Sequence, residues 1–230
     1  MTTRFERAVS ALLGICGFAI AATYVTKSFI TPSSAPNTSQ SPSRVRGWEA
    51  AATLGWKFEY PDSPVTIVVI EDLECPVCAG YHKTVGSVAQ AESVSLVHVL
   101  YPLTYHKSAM PAARAAICAA ELGRFGQWLD VVYSKQDSLS IKSWTSYVQD
   151  AGIRDTARIA SCAADTTQVT RLSESIAYGD QMGLTGTPST IVNGWRLSNT
   201  PSKAELTRIV SAFRRGENPF SFWATLTGKF

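Results

Sequence analysis

Two cysteines separated by two residues, Cys75 and Cys78, carry the clearest chemical signal in this chain. Such a pair exchanges disulfides with other proteins by attack of a thiolate on a disulfide sulfur. A sulfur at the start of a helix is stabilised as a thiolate by unpaired backbone N–H groups and by the helix dipole. Pro76 favours a helix start here, because proline is preferred at the first helical residue. We therefore predict that Cys75 is the nucleophile and that Cys78, one turn further into the helix, is the resolving cysteine.

Three carboxylates, Glu71, Asp72 and Glu74, directly precede the pair and oppose a thiolate at Cys75. If the turn that carries them is solvated, each opposes the thiolate by only about 1 kcal/mol at about 4 Å. The hydrogen bonds at the helix start are then expected to outweigh them. Two interpretations stay open: a plain solvated turn, and a turn in which Asp72 accepts the proton of Cys78.

Half of a zinc site is the alternative interpretation of a Cys-x-x-Cys pair. A structural zinc site needs two further ligands, usually from a second close pair. Cys118 and Cys162 lie 44 residues apart, and the three histidines, His82, His98 and His106, show no paired spacing. The sequence therefore predicts no metal site, and His82 is interpreted as a surface residue of the helix that follows the cysteine pair.

The elements that must position the pair follow from the hydrophobic pattern. A β-branched apolar run over 65–70 predicts a strand buried on both faces. A helix is expected from residue 75 or 76 to about 91, and a second strand over 94–100. Such a strand–helix–strand unit joins two parallel strands through a right-handed crossover.

A long stretch without strand signals follows, and it is rich in helix-forming residues. Five helices are expected there, within 108–122, 125–135, 143–151, 155–164 and 167–182. Strand signals return at 189–192, where Asn193-Gly194 predicts a hairpin into 195–197. Thr200 is expected to cap a last helix, with Pro201 at its first position.

Pro188 directly precedes this late strand. Proline lacks the N–H group that a sheet ladder needs, and a cis X-Pro bond is one way to enter a sheet after a tight turn. From the local sequence alone, an ordinary trans proline at a strand start is the alternative.

The N-terminal sequence predicts on which side of the membrane the folded domain lies. Residues 8–26 carry no charge, and as a helix they would span about 28 Å, close to the hydrocarbon core of a bilayer. Arg4 and Arg7 precede this segment, which predicts that the rest of the chain lies on the extracytoplasmic (periplasmic) side. We interpret 1–30 as a retained transmembrane anchor. A cleaved signal peptide, with a site at Ala19-Ile20-Ala21, is the alternative and would give a secreted protein.

The remaining organisation follows from composition. A linker rich in Ser and Pro is predicted over 31–46, a folded domain over 47–218 and an aromatic tail over 219–230. Charged residues make up 17% and apolar residues 45% of the 230 residues, which excludes a disordered chain. A net charge of +3 without a basic run argues against a nucleic-acid partner.

With these motifs in order, the chain resembles the DsbA-type branch of the thioredoxin superfamily, the membrane-anchored, exported thiol:disulfide oxidoreductases. The resemblance covers about residues 64–213. It rests on Glu74-Cys-Pro-Val-Cys78, Tyr101-Pro-Leu103 with His106, Ile117-Cys-Ala-Ala120, and Gly186-Thr-Pro188 before Val192-Asn-Gly194. It implies an α/β fold, namely a thioredoxin fold with a helical subdomain inserted at about 104–183, preceded by one N-terminal transmembrane helix.

The resemblance also implies roles for particular residues. Pro188 is expected to be cis and to pack beside the cysteine pair, and Thr187 is expected to offer backbone hydrogen bonds to an extended substrate segment. Pro76, Val77 and His106 are expected to contact the substrate as well. From the residues alone, a histidine that caps the next helix or faces solvent is an equal alternative for His106.

A structural disulfide between Cys118 and Cys162 is a further implication of the resemblance. Two free buried thiols are the alternative. The fifth cysteine, Cys16, lies in the apolar N-terminal segment and is interpreted as a small lipid-facing or packing residue, with a lipoprotein site as the alternative.

The function implied by the resemblance is that of a dithiol oxidase, which introduces disulfides into exported proteins through Cys75 and Cys78. Exported proteins with free thiols are the expected substrates, and a quinone-linked membrane protein, DsbB-like or vitamin K epoxide reductase-like, is the expected oxidant. The redox-active disulfide is the only expected cofactor. Val77 stands where the best-known oxidases carry histidine, and Val69 stands where thioredoxin carries a buried acid. A reductase or isomerase fed by a membrane electron donor therefore stays an alternative, as does a chaperone-like binding module without enzymatic activity.

Overall fold

The computed structural model describes residues 41–58, 60, 62–167 and 170–221. The predicted anchor, Cys16, the linker up to residue 40 and the tail from residue 222 lie outside the described residues. Among the residues that are described, no helix combines the length and the apolarity needed to cross a bilayer.

Strands and helices alternate at both ends of the described chain, and helices alone occupy its middle. In chain order the elements are β1 Ser43–Arg44, α1 Trp48–Leu54, β2 Trp56–Phe58, β3 Thr66–Glu71, α2 Pro76–Ala91, β4 Ser95–Leu100, α3 Ala109–Glu121, α4 Phe125–Ser134, α5 Trp144–Asp150, α6 Thr156–Ala164, α7 Thr170–Gln181, β5 Ser189–Val192, β6 Trp195–Arg196 and α8 Lys203–Arg214.

The strands form one sheet in the order β1-β6-β5-β3-β4-β2. β3 and β4 are parallel, as a crossover through α2 requires. β5 runs antiparallel to β3, with Ile70 opposite Ser189. The end of β3 therefore lies beside the start of β5, and this register brings the segment that carries Cys75 close to the segment that carries Pro188.

The central strand β3 is buried on both faces, as its apolar run predicts. Ile67 and Val69 pack on one face against buried residues of α2 and α8. Val68 and Ile70 pack on the other face, in a cluster with Ala51 of α1. Because this central strand is covered on both sides, it fixes the position of the turn that follows it and leads into Cys75.

The helices between β4 and β5 form the predicted insertion, which has its own core around Trp128 and Tyr147. Cys118 on α3 and Cys162 on α6 form a disulfide with their Cα atoms 6.5 Å apart, which is the pairing that the resemblance implies. The disulfide fastens two helices of the insertion to each other.

Two sequence predictions on element boundaries need correction. Ser43 and Arg44 pair with Arg196 and Trp195 of β6, so the linker predicted to reach residue 46 ends earlier. A strand of two residues has no periodicity that a sequence pattern can show. The last helix is capped by Ser202 rather than Thr200, because the Ser202 hydroxyl accepts a hydrogen bond from the backbone N–H of Glu205.

Part of the aromatic tail packs on the domain. Phe220 is buried, with its ring 5.4 Å from that of Trp195 and 6.1 Å from that of Phe213. The folded domain thus extends past residue 218, where its end was predicted. Phe222, Trp223 and Phe230 lie outside the described residues.

Candidate active site

The helix that follows β3 begins where the cysteine pair predicts. Pro76 is the first residue of α2, and Cys75 is its N-cap with an extended backbone. Cys75 lies next to the exposed side chains of Pro76 and Val77, of which Val77 is 54% exposed. Cys78 lies one turn further along and is fully buried. Both cysteines are free thiols in this structure.

Thr187 and Pro188 complete the site from the other side. The Thr187–Pro188 peptide bond is cis, as the resemblance implies. The Sγ atom of Cys75 lies 3.3 Å from the carbonyl oxygen of Thr187, although the two residues are 112 positions apart in the chain. The register of β3 and β5 therefore brings the predicted nucleophile and the predicted substrate-binding loop into contact.

The electrostatic environment stabilises a thiolate at Cys75. The pKa of Cys75 is lowered to about 5, chiefly because the Cys78 thiol donates a hydrogen bond to its sulfur. The Thr187 hydroxyl and the backbone N–H groups of Cys78 and Val77 lower this pKa further, while burial opposes them. The helix start is therefore not, as was predicted, the main source of the stabilisation, because the hydrogen bond from Cys78 contributes more than the backbone N–H groups.

The pKa of Cys78 is shifted in the opposite direction. Burial raises the pKa of Cys78 far above its usual range, and the hydrogen bond to Cys75 and the negative charge of Glu71 raise it further. At neutral pH the pair therefore holds one ionised sulfur and one protonated sulfur. This asymmetry assigns the attacking role to Cys75 and the resolving role to Cys78, as the helix position predicts.

The acids before the pair do not form a solvated turn, so that interpretation is wrong. Asp72 is buried, and its Oδ1 atom accepts a hydrogen bond from the backbone N–H of Glu74 at 2.6 Å. Its Oδ2 atom accepts one from the backbone N–H of Leu103 at 2.6 Å and lies 2.9 Å from Nδ1 of His106. Both carboxylate oxygens are thus engaged, and they tie the catalytic turn to the loop after β4.

His106 is fixed by this contact. Its side chain is 19% exposed, and its neighbour Tyr105 packs edge-on against it. It does not cap α3, whose N-cap is Ser108. A histidine on a buried carboxylate differs from both alternatives derived from the residues alone, and a substrate contact by His106 stays a prediction.

Glu71, expected to lie in a solvated turn, is instead buried close to the cysteine pair. It is the last residue of β3, it is buried, and its Oε1 atom lies 2.6 Å from Nδ1 of His98. Val69 occupies the position where thioredoxin carries its acid, and Glu71 is two residues further along. Because side chains alternate along a strand, both point to the same face. A buried carboxylate is therefore present near Cys78, but two residues further along the strand than in thioredoxin. If the predicted strand had been extended from residue 70 to residue 71, the alternation of side chains would have placed Glu71 on the buried face.

Gln136 is a second residue that sequence reasoning missed. Its Nε2 atom donates hydrogen bonds to the carbonyl oxygens of Leu73 and Cys75, at 2.8 and 3.0 Å. It lies in a 3-10 turn of the inserted helices, so the insertion holds the catalytic turn directly. A glutamine in a helical region carries no local signal for such a contact.

Taken together, the fold and the site define a thioredoxin-type dithiol protein with an inserted helical subdomain. A family model described as Thioredoxin matches residues 60–212. The chain belongs to the thioredoxin family. The match contains the cysteine pair, the cis proline and the entire insertion.

Solved structures with the same fold include DsbA-type proteins. BdbD from Bacillus subtilis superposes with a TM-score of 0.63 at 16% identity, covering 77% of this chain and 99% of that one. Chlamydia trachomatis DsbA superposes with a TM-score of 0.59 at 17% identity, covering 69% and 89%. A thioredoxin-like oxidoreductase from Silicibacter pomeroyi DSS-3 gives a TM-score of 0.63 at 20% identity, covering 74% and 99%. At these identities the likeness concerns the fold.

The curated relatives are much longer proteins. A Na(+)/H(+) antiporter NhaA from Herminiimonas arsenicoxydans is 28% identical over 155 residues, which are 67% of this chain and 25% of that protein. An antiporter NhaA 3 from Salinispora tropica is 33% identical over 137 residues, which are 59% of this chain and 21% of that protein. This chain thus spans about a quarter of the length of these relatives, and their transport activity is a property of those longer proteins.

Proposed function

We propose that this protein is an exported thiol:disulfide oxidoreductase that oxidises the thiols of exported proteins through Cys75 and Cys78. One observation carries the proposal, namely the asymmetry of the two sulfurs. Both cysteines are buried, but the pKa of Cys75 is lowered to about 5 next to the exposed Pro76 and Val77, whereas the pKa of Cys78 is raised. A stabilised thiolate favours the reduced pair, and a pair whose reduced form is stabilised is a strong oxidant.

The reaction starts from the Cys75–Cys78 disulfide. A substrate thiolate attacks Sγ of Cys75, the internal disulfide breaks, and Cys78 leaves with the electron pair and takes up a proton. A second substrate thiolate then attacks the substrate sulfur of the mixed disulfide, and Cys75 leaves as a thiolate. The substrate loses two electrons and the cysteine pair gains them. The low pKa of Cys75 favours the second step, because it makes Cys75 the better leaving group.

The surface around the pair supports binding of an extended, partly apolar segment. Pro76 and Val77 present apolar side chains to solvent beside the nucleophile, and Thr187 lies in contact with it. We propose that unfolded exported chains bind along these residues, with their backbone paired to Thr187. His106 would extend this contact on the side of the loop after β4.

Export and membrane attachment are part of the same proposal. The apolar segment over 8–26 supports an anchor, and the Cys118–Cys162 disulfide supports an oxidising compartment, because such bonds are rare in the cytosol. The redox cycle then needs an oxidant outside the cytosol. We propose a quinone-linked membrane protein, DsbB-like or vitamin K epoxide reductase-like, in that role.

Refolding of a reduced, denatured disulfide protein tests the activity. The oxidised full-length protein in catalytic amounts, with a chemical oxidant to recycle it, is expected to accelerate disulfide formation, and Cys75→Ser is expected to abolish turnover. In cells, the pair trapped by acid quench and thiol labelling is expected to be mostly oxidised. A mostly reduced pair would instead favour the reductase or isomerase, and full activity of Cys75→Ser would indicate a binding module.

A further inference from the structure

Two histidines and one carboxylate come together near the catalytic turn, although their spacing in the sequence gives no sign of it. Glu71 ends β3, His98 lies on β4 and His82 lies on α2. In the described part of the chain, the ligand-type atoms of these three side chains all lie within 4.8 Å of one another. Glu71 is 1% and His98 is 3% exposed, whereas the His82 side chain is 16% exposed, so the cluster lies at the edge of the core.

His82 is oriented as metal-binding histidines are. Its Nε2 atom lies 2.8 Å from Oδ1 of Asp130 on α4. Its Nδ1 atom is buried and has no hydrogen-bond partner among the described residues. A carboxylate that holds one ring nitrogen, while the other nitrogen is directed at an ion, is the usual outer arrangement at metal sites. Without an ion, a buried unpaired nitrogen is unfavourable.

Tyr133 provides a second unsatisfied polar atom in the same region. Its buried hydroxyl has no hydrogen-bond partner within the described ranges of the chain, and its ring lies 4.9 Å from that of His82. A phenol hydroxyl beside this cluster is available to bond a water molecule held there.

The surroundings of the cluster combine an apolar shell with access from solvent. The rings of Phe58 and Phe125 lie 5.6 and 6.5 Å from that of His98. Both phenylalanines also line a surface cleft of about 400 Å³, together with Asp130. Asp130 is 73% exposed, so the contact that orients His82 is reached directly from solvent.

We propose that Glu71, His82 and His98 form a binding site for a divalent transition-metal ion of the zinc type, with Asp130 positioning His82. Two imidazoles and one carboxylate are a known zinc ligand set, which leaves the fourth position to water. Nitrogen ligands disfavour Mg²⁺ and Ca²⁺, which prefer oxygen. Binding replaces the Glu71–His98 hydrogen bond by two bonds to the ion. The ligand set does not include the thiols, although the charge of Glu71 also acts on Cys78, so metal affinity rather than redox turnover is the readout.

Zinc titration of the full-length protein tests this proposal. Cys75→Ser/Cys78→Ser serves as the parent, because a free thiol pair binds zinc by itself. After treatment with a chelator, the parent is titrated with Zn²⁺ in competition with a chromophoric chelator, and with Co²⁺ as a spectroscopic probe. We expect saturable binding of one ion per chain, a visible Co²⁺ spectrum of tetrahedral type without a thiolate band, and a higher Tm with Zn²⁺ bound.

Single variants of the parent identify the ligands. His82→Ala is expected to lose at least about a hundredfold in affinity, and Asp130→Asn about tenfold to a hundredfold. His106→Ala, which removes the third histidine of the chain and lies outside the cluster, is expected to keep the affinity within a factor of two. If circular dichroism shows that His82→Ala is unfolded, the zinc affinity of Asp130→Asn becomes the deciding measurement, because Asp130 is largely exposed and its replacement is expected to leave the fold intact. No saturable binding by the parent, or equal affinity in the parent and in the folded cluster variants, would overturn the proposal and leave Glu71 and His98 as an ordinary buried pair.

Discussion

Replacing Cys78 by alanine tests how the Cys75 thiolate is stabilised. The largest contribution to the pKa of Cys75, about 5, is the hydrogen bond donated by the Cys78 thiol. A hydrogen bond to a charged group contributes about 1.5 to 3 kcal/mol. Since one pKa unit corresponds to about 1.36 kcal/mol, Cys78→Ala is expected to raise the pKa of Cys75 by about 1 to 2, to about 6 or 7.

The assay is the ultraviolet absorbance of the thiolate as a function of pH. Cys16→Ser is included in every protein, and the Cys118–Cys162 disulfide is kept intact, so that Cys75 is the thiol that titrates at neutral and acid pH. Cys78→Ser is the matched control, because its hydroxyl remains a donor. We expect this variant to raise the pKa of Cys75 by clearly less than alanine does.

An unchanged pKa in Cys78→Ala would refute this reasoning. It would show that the backbone N–H groups of the helix start and the Thr187 hydroxyl stabilise the thiolate without help from Cys78. Equal shifts in the alanine and serine variants would point to altered packing rather than to a lost donor.

Three further predictions concern stability. Asp72→Ala is expected to reduce the free energy of unfolding by about 2 to 4 kcal/mol in a urea titration, because it leaves the N–H groups of Leu103 and Glu74 without acceptors, and Asp72→Asn is expected to lose less. Removal of the Cys118–Cys162 disulfide, which joins residues 44 positions apart, is expected to lower this free energy by about 4 kcal/mol while turnover is retained. Because the pKa of Cys75 falls from 9.0 to about 5 on folding, its ionisation stabilises the reduced protein fully above pH 9, and this contribution is lost as the pH falls from 9 to 5. The full shift corresponds to about 5 kcal/mol and, after allowance for solvent screening, to about 2 to 3 kcal/mol. It is measured as the loss of unfolding free energy of the reduced protein between pH 9 and pH 5, with Cys75→Ser as the control.

The local sequence determined the catalytic pair and the elements that carry it. A β-branched run predicts β3, and Cys75 before Pro76 predicts the start of α2, because capping and periodicity act over a few residues. The same local rules predict the inserted helices to within a few residues, and the motif around Pro188 indicates the loop that faces the pair.

Only the tertiary structure decided how the charges near the pair are arranged. Asp72 is a buried anchor for the loop after β4, and Glu71 is buried against His98 of the neighbouring strand. Whether a carboxylate is solvated depends on which residues from distant parts of the chain cover it. The spacing of the three histidines in the sequence does not predict which carboxylates they contact. The contact between Cys75 and Thr187 likewise arises from the register of β3 and β5. Local preferences specify the elements, whereas burial and electrostatics depend on contacts across the sheet between residues that are far apart in the chain.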